Sequence, residues 1–223
     1  MSCAAVNMNL PWSEWLPILA RGAGVTLQVT VLSAILALFM SLMAGLGAGS
    51  RIAAVRVLSQ VYIQVFRAVS LLVLLFWVYF ALPFAGLELS KLASAVLAIG
   101  LNIGAYGAEI VRSSVAAIPK GQIEATIALN LSYRQRLWRI VVPQAVARML
   151  PPLGNLMIEL LKSTSLIYFI TLADLTYEAM ILRNNYYTWT PAIFGLLLIV
   201  YFLFSSCIAL AFRMMERKFT AWR

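Results

Sequence analysis

The apolar residues of this chain gather in five long stretches, at approximately 22–49, 57–82, 92–112, 149–173 and 190–212. Each is long enough, at about 20 helical residues, to cross the roughly 30 Å of hydrocarbon in a bilayer. A backbone inside lipid has no water to bond to, and such unbroken apolar runs satisfy it as helices. Composition agrees: 63% of the 223 residues are hydrophobic and only 11% are charged, where a water-exposed domain carries about a quarter charged residues. The expected fold is therefore an all-α membrane protein with five transmembrane helices, forming one transmembrane domain over 1–223. The lipid bilayer is its first partner.

The net charge is +9. In a soluble protein that excess would raise nucleic-acid binding, but here topology explains it and no nucleic-acid partner is expected. Arg51, Arg56, Arg67, Arg112, Lys120, Arg134, Arg136, Arg139, Arg148, Arg213, Arg217, Lys218 and Arg223 fall on one side of the stretches. Arg21, Lys91 and Arg183 fall on the other, and Lys162 lies within a stretch. Thirteen against three places the crowded side in the cytoplasm by the positive-inside rule, the N-terminus outside and the C-terminus inside. No signal peptide is expected ahead of the first stretch, which is expected to act as its own insertion signal. Residues 7–17, with Trp12 and Trp15, suit the headgroup interface. Histidine is absent, and Cys3 and Cys207 stand far apart. With neither a metal-ligand cluster nor a catalytic constellation, no catalytic residue, metal or cofactor is expected.

The middle three stretches carry polar residues at helical spacing: Gln60, Gln64 and Arg67; Asn102, Tyr106 and Glu109; Asn155, Glu159 and Lys162. Each triplet lies on one helix face. Three such seams can enclose a common lumen, with the apolar outer stretches shielding it from lipid. Two readings stand side by side. The amides and the tyrosine can equally be interhelical glue, worth about 1–2 kcal/mol each at most. Glu159 and Lys162 are spaced to pair, and charges at membrane depth mark solute paths or gates. Glu109 and Arg112 can pair with one another or with the neighbouring loop. Gly100 and Gly104 form a G-x-x-x-G, which permits close helix packing.

The loop from Ser113 to Arg148 is ordered in sequence. Pro119 suits a helix start, and Gly121, Gln122, Ile123, Glu124, Ala125 and the residues to Leu129 read as helix. Asn130 follows where a left-handed residue ends a helix. Ser132 and Gln135 make a capping box for a second short helix, which Val141, Val142 and Pro143 are expected to end. The pattern is a cytoplasmic helix-turn-helix. Its apolar positions Ile123, Ile127, Leu131, Leu137 and Ile140 suggest a knob for a partner.

Glu124, Ala125, Thr126, Asn130, Ile140, Val142 and Pro143 resemble the EAA loop of binding-protein-dependent ABC importers, written EAA-x3-G-x9-I-x-L-P. Thr126, Asn130 and Val142 depart from it mildly. Val65 to Leu72 is similar to the RGTPLL segment of the polar amino acid permeases, with its Gly, Thr and Pro replaced. Ala105 to Arg112, Pro119 to Gln122, Pro151 to Asn155 and Leu161 to Leu166 also match that group, and Ser163 stands where many members have Asp. Ala128 to Ser132 resembles the ectoine/hydroxyectoine branch.

The resemblance implies a type I ABC importer permease fold in the bacterial inner membrane. It implies docking of the loop on a cytoplasmic ATP-binding-cassette ATPase dimer through Gly121, Gln122, Glu124, Ala125, Asn130, Ile140 and Pro143. A second permease, paralogue or identical copy, and an extracytoplasmic solute-binding protein would complete the assembly. The solute would be an amino acid or a compatible solute such as ectoine, on a path including Gln64, Arg67, Asn102, Tyr106, Glu109, Asn155, Glu159, Lys162 and Ser163. No Walker A pattern occurs, so ATP hydrolysis would belong to another chain. The alternative is a non-ATP channel or a secondary-carrier subunit, which explains the seams but not the capped loop.

Overall fold

A computed structural model describes residues 12–220; Cys3, Arg223 and the first part of the 7–17 segment lie outside the described residues. Over these the chain is helical: α1 Trp12–Gly47, α2 Ala53–Ala68, α3 Leu71–Phe76, α4 Lys91–Ala116, α5 Lys120–Ala128, α6 Tyr133–Arg136, α7 Val142–Ser163, α8 Leu175–Asn185 and α9 Thr190–Thr220. Four helical segments among the described residues are long and apolar enough to cross a membrane, and a bent pair makes a possible fifth.

The bent pair corrects the second stretch. Val69 and Ser70 both adopt extended backbone, so 57–82 is not one straight helix. α2 stops there, and α3, extended by a π turn at Trp77–Ala81, leaves at 103°. A helix broken at membrane depth must have its freed carbonyls bonded by neighbours, and side chains of α4 do this, as described below.

The fourth stretch also begins elsewhere than expected. Val141, Val142 and Pro143 do not end the second loop helix; one helical segment runs unbroken from Tyr133 to Ile170. A π turn at Leu137–Val141 joins α6 to α7, with the Val142 N–H donating to the Leu137 carbonyl. Proline lacks an N–H and crowds the carbonyl four residues back. The wider π register accommodates both defects without breaking the helix.

The central layer is α1 beside α4. Gly100, Gly104 and Gly107 face Leu36, Met40 and Ser41 so closely that an added Cβ would lie 2.0–2.9 Å from them. The Ser41 hydroxyl bridges the Ala37 and Gly104 carbonyls at 2.6 and 3.1 Å. Here the G-x-x-x-G does what small residues do in membranes, bringing two backbones close. α7 crosses α4 in the opposite direction, and Gly154 of α7 accepts Phe212 of α9. α1 and α9 turn many large apolar side chains outward, as lipid-facing helices do.

At the end away from the loop, α8 caps the bundle, a helix for which the sequence reading had no counterpart. Asp174 is its N-cap, accepting from the Tyr177 N–H at 2.9 Å, and the Leu175 N–H donates to Thr26 Oγ1 at 3.0 Å. Trp15 is buried, edge-on to Tyr186 and Trp189 at 5.8 and 6.3 Å between ring centres. It is thus a core residue rather than a headgroup anchor, because the α8–α9 turn folds back over the first turns of α1.

Candidate functional site

The α2–α3 break opens a cleft of about 390 Å3 against α4 and the far half of α7. Arg67, Ser70, Asn102, Tyr106, Glu159 and Ser163 supply its polar lining. The wall from α4 is held by the break itself. Asn102 Nδ2 donates to the Phe66 carbonyl at 2.7 Å and to the Val69 carbonyl at 3.4 Å. One turn on, the Tyr106 hydroxyl donates to the Arg67 carbonyl at 3.1 Å. Tyr62 returns a bond from α2 to the Leu101 carbonyl at 2.7 Å. The glue reading of the amide and the tyrosine therefore holds for Asn102 and Tyr106, which also border the cleft.

Arg67 sits in the last turn of α2, level with the middle of α4 through these bonds, with its guanidinium 5.4 Å from the centre of the Tyr106 ring. It therefore leaves the tally of basic residues at the loop end, where it had been counted. Glu109 accepts from Arg112 Nε at 3.0 Å and Nη2 at 2.5 Å, the pairing foreseen for them. The two are an i,i+3 ion pair on one face of α4. Glu159 and Lys162 do not pair as their spacing suggested. Both are exposed on α7, where an i,i+3 contact gains little against the entropy of two long side chains. A larger groove of about 500 Å3 between α1 and α4 is lined almost wholly by apolar side chains and offers a polar solute nothing.

At the other end, α5 and α6 form the expected turn. Asn130 takes φ of 52°, and Ser132 and Gln135 complete the capping box. Thr126 is buried, its hydroxyl bonded to the Ile123 carbonyl at 2.6 Å. Glu124, Ala125, Gly121, Gln122 and Pro143 are exposed, while Ile140 is half-buried. The large apolar exposure falls on Ile127, Leu129, Tyr133 and Trp138. Ile123, Leu131 and Leu137 are half-buried, so of the expected apolar knob only Ile127 stands fully out.

The family described as "binding-protein-dependent transport system inner membrane component" matches residues 37–221. The chain belongs to this family. It is 43% identical to the probable amino-acid ABC transporter permease protein y4tF of Sinorhizobium fredii, over 97% of this chain and 93% of that one. It is 36% identical to the glutamine transport system permease protein GlnP of Escherichia coli K12, over 95% of this chain and 98% of that one. A crystal structure of an amino acid ABC transporter with histidines contains a chain that superposes with a TM-score of 0.84 at 30% identity, covering 92% of this chain and 96% of the other.

The permease is accordingly an inner-membrane component of a binding-protein-dependent ABC importer, and ATP hydrolysis belongs to a separate subunit. An ATPase and a solute-binding protein are its partners in general. The channel and secondary-carrier alternatives fall with that membership. Of the nine expected path residues, five line the cleft of the permease: Arg67, Asn102, Tyr106, Glu159 and Ser163. Gln64, Glu109, Asn155 and Lys162 do not. Ser70, missed by the sequence reading, joins them because the helix breaks beside it; the signal was the replaced proline in the segment resembling RGTPLL.

Proposed function

We propose that this permease is one of two paired half-channels that move an amino acid inward, with the cleft as its half of the path. The observation that carries the reading is a guanidinium and a carboxylate, Arg67 and Glu159, lining one membrane-depth cleft while neither makes an ion pair among the described residues. A zwitterion has a carboxylate for the first and an ammonium for the second. The names of the relatives, which include glutamine, glutamate and cystine systems, support the same class. Gln60, Gln64, Asn155 and Lys162 are exposed on α2 and α7, and polar groups at that depth seek protein or water rather than lipid. A second permease covering them closes the lumen.

The loop end faces the cytoplasm, with the N-terminus outside. α5, carrying Glu124, docks on one protomer of an ATPase dimer. The unbroken helix from Tyr133 to Ile170 carries the stroke to Glu159 and Ser163. The test is reconstitution with the ATPase, partner permease and binding protein in vesicles. L-Glutamine, L-glutamate, L-cystine, L-histidine, L-arginine and ectoine are screened for stimulated ATP hydrolysis and uptake. At least one amino acid is expected to stimulate both, Arg67→Ala and Glu159→Ala to lower uptake, and Glu124→Lys to lower uptake together with ATPase co-purification. Stimulation by ectoine alone would move the solute class. Full transport by all three variants would sink the cleft and coupling assignments.

A further inference from the structure

Arg67 is held from two directions by one side chain. Tyr106 bonds its backbone carbonyl through the hydroxyl at 3.1 Å and sets its ring under the guanidinium, 5.4 Å from centre to Cζ. The two contacts are independent: the first anchors the end of α2, the second fixes where the cationic head rests. A cation over a ring face is attracted by the ring quadrupole and gives up none of its N–H donors to that contact. The guanidinium thus keeps the planar fork that carboxylates accept in bidentate fashion.

The competing anions are accounted for. Glu109, three residues beyond Tyr106 on α4, is hydrogen-bonded by Arg112 Nε and Nη2 and meets Arg67 only as a through-space charge, without an ion pair. Glu159, on α7 across the cleft, makes no ion pair with Arg67. Lys162 is also without an ion-pair partner among the described residues. Without the aromatic platform a long, flexible guanidinium at this depth would settle on whichever carboxylate it could reach. The ring and the Glu109–Arg112 pair together keep it available.

We propose that Tyr106 is the positioning residue that presents Arg67 to the carboxylate of the transported solute, so that ring electrostatics at position 106 set solute affinity. This rests on the reading of the cleft as an amino-acid site. It predicts a graded dependence on the negative face of the ring, which a residue that merely caps α2 would not show.

The experiment uses the permease–ATPase complex in lipid nanodiscs without binding protein, titrated calorimetrically with L-glutamine, L-glutamate, L-cystine, L-histidine and L-arginine; the tightest binder is then followed. Position 106 is replaced by Phe and by mono-, di- and trifluorinated phenylalanine, which keep the shape while draining the ring face. Tyr106→Leu removes the ring altogether. Affinity is expected to fall stepwise along the fluorine series, reaching about three- to tenfold at the end and in Tyr106→Leu. Melting temperature should stay level across the series, because the shape is kept. Constant affinity along the fluorinated series would overturn the positioning role, whatever Tyr106→Leu does to folding. Arg67→Ala separates the two levels. If it leaves binding unchanged, or if no amino acid binds the wild type, the reading of the cleft itself falls. If it weakens binding while the series is flat, only the role of Tyr106 falls.

Discussion

Asn102 donates 2.7 Å to the carbonyl of Phe66, a bond from the middle of α4 to the last turn of α2. It satisfies a backbone group that the break at Val69–Ser70 deprives of its helical partner. Removing it leaves a part-buried carbonyl unbonded, so Asn102→Leu should destabilise the fold by about 1–2 kcal/mol. Thermal unfolding of the purified permease checks this. Asn102→Gln should recover less than half of the loss, since the longer amide cannot span the same gap. An unchanged melting temperature in Asn102→Leu would show that the break needs no such support.

Gly107 touches Ser41 so closely that an added Cβ would lie 2.0 Å from the hydroxyl oxygen and 2.9 Å from the Cβ of that residue. Gly107→Ala should cost about 1–3 kcal/mol, and Gly107→Leu should prevent accumulation of folded protein. The strain is specific, so adding Ser41→Gly to Gly107→Ala should restore much of the lost stability. The measurement is the melting temperature of the single and double variants. No recovery in the double variant would locate the strain elsewhere.

Asp174 is fully buried, one oxygen capping α8 and the other without a hydrogen-bond partner. Burial pushes its carboxyl up to about 6, against the capping bond from the Tyr177 N–H, which acts to lower it. The folded state thus holds this proton more tightly than the unfolded chain, whose aspartates titrate near 3.9. Stability from Asp174 is therefore greatest below about pH 4, falls as the pH rises to about 6, and is level above that. Asp174→Asn keeps the cap without the charge. Comparing melting temperatures between pH 4.5 and 7.5 should show the wild type losing ground to the variant, by at most about 3 kcal/mol. Parallel profiles would refute the buried-carboxyl account.

Asn130 turns the chain between α5 and α6 at φ of 52°. Asn130→Gly should be neutral or slightly stabilising, whereas Asn130→Val should cost about 1–2 kcal/mol by forcing a branched side chain into the left-handed region. Protease resistance of the loop and co-purification of the ATPase provide the readout. Equal behaviour of both variants would mean that the turn geometry does not matter to docking.

The long apolar stretches, the capping box at Ser132 and the left-handed Asn130 were legible because each depends on residues within a few positions of one another. The cleft was legible in part. Helical spacing put Asn102 and Tyr106 on one face of α4, but Glu109, also on that face, turned out to be spent on Arg112. The same spacing could not reveal that Gln64 and Asn155 lie outside the cleft that Arg67 and Glu159 share. For α8, a short helix of modest hydropathy, the local signal was its N-cap Asp174, but nothing local showed that it would bury Trp15 once the chain had folded back.

The amino-acid sequence by itself determined that the bilayer is the solvent, that the backbone is helical, and that a capped helix-turn-helix loop separates the third and fourth stretches. Those are consequences of composition and of spacing at a period of 3.6 residues. Only the tertiary structure decided that α2 breaks at Val69, that the loop helix runs on through Pro143 into α7, and that Arg67 stands in the cleft rather than at the basic end. The continuation through Pro143 is local, carried by the π turn at Leu137–Val141, but for the break and for Arg67 the physical reason is shared. A break or an unpaired charge at membrane depth is tolerated only when a distant segment supplies the missing bond, and here α4 supplies it through Asn102 and Tyr106.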